Sequence, residues 1–463
     1  MTWGLTTHGK YSVTGDEPHY LMVAQSLLAD RDLDVGNNYA GNHGASFGAS
    51  GVLPEQHVRQ NRGRTLPAHD IGVSIALAPV LAIAEAASSL PGDALLRRVR
   101  MNRGLFAYSL VSLFMIAVTT GAAVVTIRAL QALGASVRVS CAIVIVVWLS
   151  PPVISHAFLV FPELFALLVT AAVVRAWAAG ADAWRRTDTL TVAALGLLPW
   201  FHRKFAFYVV ALLAVLVLRR LSSLQALPRN RQAGLAAIFA MPPLLLAGWT
   251  FILWGNVAGP LALGGAQLSW PELRRGLPGT AIDRENGLLW WAPMYALLPA
   301  AFWMGRATLW VWLVPVFALV LPGAALQFWA GFSPAGRFLV PLAPIFCVLA
   351  LEIARRRALL VAALVLLVPQ VILTAYAWNR PRLLWPQGDG ENRVLAAILP
   401  PLSGAYRAIP SFRIDPDGAW SAAAVIFAAI LVLNAVLVFY DGSFVKRVRA
   451  NTINAQSRNR RSP

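Results

Sequence analysis

Apolar residues in this chain fall in blocks. Blocks close to the roughly 20 residues that a helix needs to cross a bilayer core recur near 105–127, 139–155, 162–178, 233–256, 309–329, 338–353, 358–378 and 418–440. Shorter ones at 189–200, 204–219 and 288–303 read as spans broken by functional or aromatic residues. The pattern predicts an all-α, polytopic transmembrane bundle of about 11 spans.

Composition agrees. Of 463 residues, 58% are hydrophobic and 13% charged, with mean hydropathy +0.61; soluble domains run at about 45–50% apolar and about 25% charged. The net charge of +18 is not read as nucleic-acid binding. The basic residues are nearly all arginines and cluster between the apolar blocks, as topology signals under the positive-inside rule do. Cys141 and Cys347 fall inside apolar segments, so neither a disulfide framework nor thiol chemistry is indicated.

The charges orient the chain when read backwards from its end. The segment from Lys446 to Pro463 is basic and carries no acid, which places the C-terminus in the cytoplasm. Alternation then puts Arg355–Arg357, Arg219/Arg220/Arg229/Arg231, Arg185/Arg186 and Arg128/Arg138 inside as well. The division that follows is an external loop with juxtamembrane helices (1–104), a transmembrane core (105–378), an external loop with a small helix (379–417), a last span (418–440) and a basic cytoplasmic tail (441–463). This places the chain in the cell (inner) membrane with its chemistry on the external face. Arg97, Arg98, Arg100 and Arg103 run against the rule. The apolar stretch 71–90 cannot be a full span if 1–70 and 91–104 share a side, and Glu85 would be costly deep in lipid. We read 71–90 as a helix at the outer interface. No span or signal core precedes residue 15, so either a first helix is missing, the favoured expectation, or the N-terminus is translocated by the helices behind it.

Gly15-Asp16-Glu17-Pro18 is a helix-start signal, an Asp cap followed by Pro in the first turn. The helix behind it is amphipathic, with Tyr20, Leu21, Ala24, Leu27 and Leu28 on one side. An acidic pair opening a juxtamembrane helix in the first external loop, GDEPHYL, resembles the C superfamily of membrane glycosyltransferases. So do PAHDIGVSIALAP (67–79), SPPVISHAFLVFPELFALL (150–168), LPWFHRKFA (198–206), DRENGLLWWAPMYALLP (283–299) and WAGFSPAGRFLVPLAP (329–344). The likeness is to bacterial aminoarabinose transferases and protein O-mannosyltransferases and spans roughly residues 14–345. It implies a polyprenyl-phosphate-linked sugar donor and a lipid, glycan or protein acceptor. His19 stands where aminoarabinose transferases carry Arg, and His69-Asp70 replaces a Lys-Pro-Pro, which leaves the sugar open.

Transfer from a lipid phosphate needs a base for the acceptor hydroxyl, cations for the departing phosphate and an apolar groove for the isoprenoid. Asp16 is the candidate base, which implies inversion at the anomeric carbon; its alternative is a helix cap. Glu17 would assist, or favour the helix N-terminus. Glu163, at the outer end of a span, is either functional or snorkelling, and the resemblance makes it the second acid, orienting the acceptor or a metal. His202, Arg203 and Lys204 form a basic external turn suited to phosphate. Arg337, in a Gly/Pro-rich turn, would offer a guanidinium fork to an anion or anchor at the interface. Arg284 would bind phosphate or pair with Asp283 or Glu285. His69 and Asp70 would cap the 71–90 helix or touch substrate, and His19 and Tyr20 complete the substrate-binding set. The external acids and histidines could hold a divalent cation, though no spacing demands one. Nucleotide-binding loops, zinc spacings and nucleophile elbows are missing. A flippase or transporter of a lipid-linked or anionic solute is the alternative, weakened by the lack of internal repeats; a non-catalytic envelope scaffold is a third class.

Overall fold

The computed structural model describes residues 15–180, 183–260, 268–304, 307–326, 329–331, 333–399 and 403–440. The expected basic tail and the start of the chain, where a missing first helix was inferred, lie outside the described residues.

Among the described residues the fold is all-α apart from one hairpin. It begins with α1 (Glu17–Ala29), α2 (Gly36–Ala40), the strands β1 (Val58–Asn61) and β2 (Arg64–Pro67), α3 (Gly72–Ser88) and α4 (Asp93–Arg98). The bundle follows: α5 (Arg103–Ala132), α6 (Val137–Trp148), α7 (Val153–His156), α8 (Glu163–Ala178), α9 (Arg186–Phe201), α10 (Ala206–Gln225) and α11 (Arg229–Trp254). Its second half comprises α12 (Trp270–Ile282), α13 (Leu288–Trp291), α14 (Leu298–Met304), α15 (Leu313–Ala324), α16 (Ala343–Ala354), α17 (Arg357–Asn379), α18 (Arg393–Ile398), α19 (Ser403–Arg407) and α20 (Ala419–Tyr440).

Among the described residues six helical segments, 103–132, 203–225, 229–254, 337–354, 357–379 and 419–440, are long and apolar enough to cross a membrane. Their surfaces say the same. In the most apolar stretch of α11 only 11% of residues are buried, and in those of α17 and α20 17%. The outward side chains include Leu244, Leu245, Ile252, Val365, Val368 and Val432. A soluble monomer rarely exposes apolar surface on that scale, whereas lipid accepts it. Hydroxyls inside the helices turn back on their own carbonyls, Thr119 on Met115, Thr126 on Ala122 and Thr170 on Ala166, as a water-free surrounding requires.

The other five expected spans are shorter or interrupted helices. The 139–155 block ends its helix at Trp148, before Pro151-Pro152. The 288–303 block breaks into α13, a 3₁₀ turn over Pro293–Leu297 and α14. The 71–90 stretch forms α3, packed on α1 and α5. Its start lies so close to the Trp200–Phe201 backbone that a Cβ on Gly72 would come within 2.5 Å of it, so only glycine fits there. In its last turns Glu85 accepts a hydrogen bond from Ser46 (2.5 Å), which gives that carboxylate a polar partner.

Helix directions sort the ends of the bundle. The starts of α8, α10 and α16 and the ends of α9, α11 and α15 gather at one end. The ends of α8, α10 and α16 and the starts of α9, α11 and α17 lie at the other. At that second end Arg219 donates to the Trp177 carbonyl, Arg220 to Ala176 and Ala183, and Arg355 to Leu133. The arginine pairs 185/186, 219/220 and 229/231 and the trio 355–357 therefore share one face, opposite the face described next.

Candidate functional site

Gly336 takes a left-handed conformation (φ 79°) immediately before Arg337, a turn that glycine makes without steric cost. The turn brings the Arg337 guanidinium between two carboxylates. NH1 donates to Asp16 Oδ2 (2.8 Å) and Nε to Glu163 Oε1 (2.8 Å). The guanidinium also lies 3.9 Å from the centroid of the Phe161 ring, a cation–π contact. Lys204 Nζ donates to the same Glu163 oxygen (2.6 Å) and sits beside Phe205 and Phe338. Glu163 is completely buried at the start of α8, and its second oxygen, Oε2, has no hydrogen-bond partner among the described residues. Buried polar atoms are nearly always paired, and Glu163 itself is not among the residues that line the cavity described below.

Asp16 does not cap α1. Its carboxylate makes no hydrogen bond to the helix N-terminus, because Arg337 is the stronger partner. Burial, the largest single effect, disfavours ionisation of Asp16, but the Arg337 charge, His69, His57 and the Arg337 hydrogen bond together outweigh it. The carboxyl is held well below the usual carboxylate range.

Around this centre stands a second set of groups. Asp70 accepts from Arg203 Nε (2.7 Å) and from the Arg203 backbone N–H (2.8 Å), with His202 Nδ1 at 3.9 Å. Burial pushes the Asp70 carboxyl up against the pull of Arg203. His69 and Asp70 therefore do not cap α3, which starts without a side-chain cap. Arg203 also donates to the Ala258 carbonyl and Thr250 Oγ1, so it clamps the turn between α9 and α10 onto the end of α11. His57 Nδ1 and His69 Nε2 are 2.8 Å apart, the His19 ring stacks on His57 at 3.5 Å, and Tyr39 Oη is 2.6 Å from His19 Nδ1. Burial is the main cause that lowers all three histidines, His19 to about 3, His69 to about 4 and His57 below its ordinary value.

These groups line one wall of a cavity of about 1020 Å³. Asp16, His19, His57, His69, Asp70, His202, Arg203, Lys204 and Arg337 are on it, and Phe161, Phe207, Leu326, Trp329 and Phe338 form its apolar parts. Four expected site residues do not line it: Glu163, buried against Arg337 and Lys204, and Glu17, Tyr20 and Arg284. Glu17 turns inward and accepts from Tyr108 Oη (2.9 Å) and the Val160 N–H (2.8 Å), joining α1 to α5 and the start of α8. Tyr20 is buried in the core beside His69, and burial pushes its phenol well up. Arg284 pairs with neither Asp283 nor Glu285. It donates to the Gly390 carbonyl and pairs with Glu391 (3.3 Å), tying the 379–417 region to α12 and α13. Among the described residues that region holds two short α-helices and a 3₁₀ turn over Pro381–Leu384, where one small helix was expected.

Two cavity residues escaped the sequence reading. His57 precedes a hairpin whose register pairs Val58 with Pro67 and Asn61 with Arg64. Its signal was Arg62-Gly63, both at positive φ, the requirement of a tight two-residue turn. Asn286 is 5% exposed on the cavity wall, and both its amide atoms lack partners among the described residues; no local pattern marks it. Comparison with protein-family models, curated proteins and solved structures finds no match for the chain.

Proposed function

We propose that the chain is a multi-pass membrane glycosyltransferase that moves a sugar from a polyprenyl-phosphate carrier to an acceptor on the outer face of the cell (inner) membrane. In this reading the eleven apolar blocks are spans, the arginine-rich face is cytoplasmic and the cavity opens outward. The observation that carries the proposal is the cavity itself. It sits at the ends of apolar helices and joins the Asp16 carboxylate and the cations Arg337 and Lys204 to an apolar wall, the combination a lipid-linked phosphate sugar requires.

The acceptor hydroxyl gives its proton to Asp16 and attacks the anomeric carbon. The bond from that carbon to the phosphate oxygen breaks on the opposite side, so the configuration inverts. Arg337 and Lys204 take up the charge of the departing polyprenyl phosphate. Their present partners make this more than binding. A donor phosphate that draws Arg337 away from Asp16 removes the charge that suppresses its basicity, so Asp16 becomes a competent base when the donor arrives. Glu163, which does not line the cavity, holds Arg337 and Lys204 for the phosphate.

The test is incubation of purified protein in lipid vesicles with radiolabelled polyprenyl-phosphate sugars and a membrane-lipid extract. Label is expected to pass into an acceptor. Label that only crosses the vesicle membrane, still on its carrier, would make the protein a transporter and sink the proposal.

A further inference from the structure

We propose that Asp16, His57 and His69 form a binding site for a divalent metal ion of the zinc class, with one coordination position open to the cavity. One carboxylate oxygen and one nitrogen from each imidazole lie within 4.8 Å of one another. The nitrogens of His57 and His69, 2.8 Å apart, can both reach an ion at the usual zinc–nitrogen distance of about 2.0–2.1 Å. Arg337 engages Asp16 Oδ2, and the carboxylate has a second oxygen for a metal.

The scaffold fixes these ligands. His57 and His69 flank the β1–β2 hairpin, and the Ala68 N–H donates to the His57 carbonyl (2.8 Å), extending the ladder past the strands to bring the two rings together. The stacked His19 ring, itself held by Tyr39, sets the plane of His57, and Tyr20 lies against His69. Rings locked by packing are the support a metal site needs. Two imidazoles and a carboxylate select zinc-like ions over magnesium or calcium, which prefer all-oxygen shells. Three protein ligands are the usual number where zinc keeps an open position. The inference stands on ligand geometry and does not depend on sugar transfer.

The test uses full-length protein purified without a histidine tag, stripped with a chelator, given Zn²⁺ and desalted. About one Zn²⁺ per chain is expected by mass spectrometry. His57→Ala and His69→Ala should each bind at least about tenfold more weakly, because loss of a mere supporting group already costs about 10–100-fold. His43→Ala, away from the cavity, should bind as the wild type does. X-ray absorption on the wild type counts imidazole ligands directly, so the decision does not depend on variants that fail to fold. No stoichiometric zinc, a spectrum without two imidazoles, or full retention by the His57/His69 double alanine variant would each overturn the site.

Discussion

Replacing Arg337 by alanine should cost stability in a way that depends on pH. The guanidinium makes two charge-assisted hydrogen bonds of 2.8 Å, to Asp16 and to Glu163. Removing one partner of a buried pair costs about 3–5 kcal/mol, since the other charge is left stranded. Two facts pull the figure toward the lower end. Glu163 keeps Lys204 at 2.6 Å, and the Asp16 side chain is 25% exposed, so water recovers part of its loss. The expected cost is about 3 kcal/mol at pH 7.5.

The sign of the pH effect follows from Asp16. In the wild type its folded pKa is depressed, so it contributes stability above the unfolded value of about 3.9, lost only as pH falls through the folded value. Without Arg337 burial dominates and the folded pKa rises. Stability is then greatest in acid and is lost as pH climbs past the unfolded value. The gap between Arg337→Ala and wild type should therefore shrink to less than about half between pH 7.5 and pH 4.5. Thermal unfolding in detergent across that range measures it. Acid losses from the buried histidines occur in both proteins and largely cancel in the difference. A gap that stays constant or widens in acid would refute the account of Arg337 as the partner that keeps Asp16 ionised.

Three further outcomes are expected. Asp16→Asn preserves side-chain volume and disturbs no helix cap, so the protein should fold while turnover in the sugar-transfer assay drops by about 10²–10⁴-fold, the usual share of a positioned base; full activity would remove Asp16 from the chemistry. In a cysteine-free background, Ser50→Cys and Asp417→Cys should react with an impermeant maleimide on intact cells and Asn230→Cys only after permeabilisation, the reverse pattern defeating the orientation. Arg220, fully buried at the far end of the bundle with Asp188 and two carbonyls as partners, should cost about 3–5 kcal/mol when replaced by leucine; a thermal shift corresponding to under about 1 kcal/mol would show that the pair is not structural.

What the sequence disclosed and what it hid divide along the range of the interactions involved. Long apolar runs without internal breaks became α5, α10, α11, α17 and α20, because in lipid the backbone has little choice but to satisfy itself within a helix. The interfacial reading of 71–90 rested on one misplaced glutamate and a parity argument, both local. The cap at Asp16 was misjudged because its carboxylate is bound by an arginine far along the chain. The same holds for Asp70, taken by Arg203, and for Arg284, taken by the 379–417 region. Short local rules rank the partners within one turn of a helix and cannot see a charge arriving from another. The hairpin was within reach of such rules but was passed over, since its strands are four residues each and mostly polar. Asn286 carried no signal.

The pairing of Glu163 with an arginine 174 residues downstream has a consequence for biogenesis. When the ribosome has delivered α8 and the turn before α10, Glu163 and Lys204 can already meet, and a neutral pair can be housed before most of the chain exists. Among the described residues Asp16 has no such early arginine or lysine partner. Its counter-charge reaches it only after α15 has been threaded, so through much of synthesis the first acidic loop waits as an open, hydrated carboxylate. Arrival of the Gly336-Arg337 turn is then the event that closes the constellation. Chains that stop short of it would carry a bundle resembling the finished one but no assembled site.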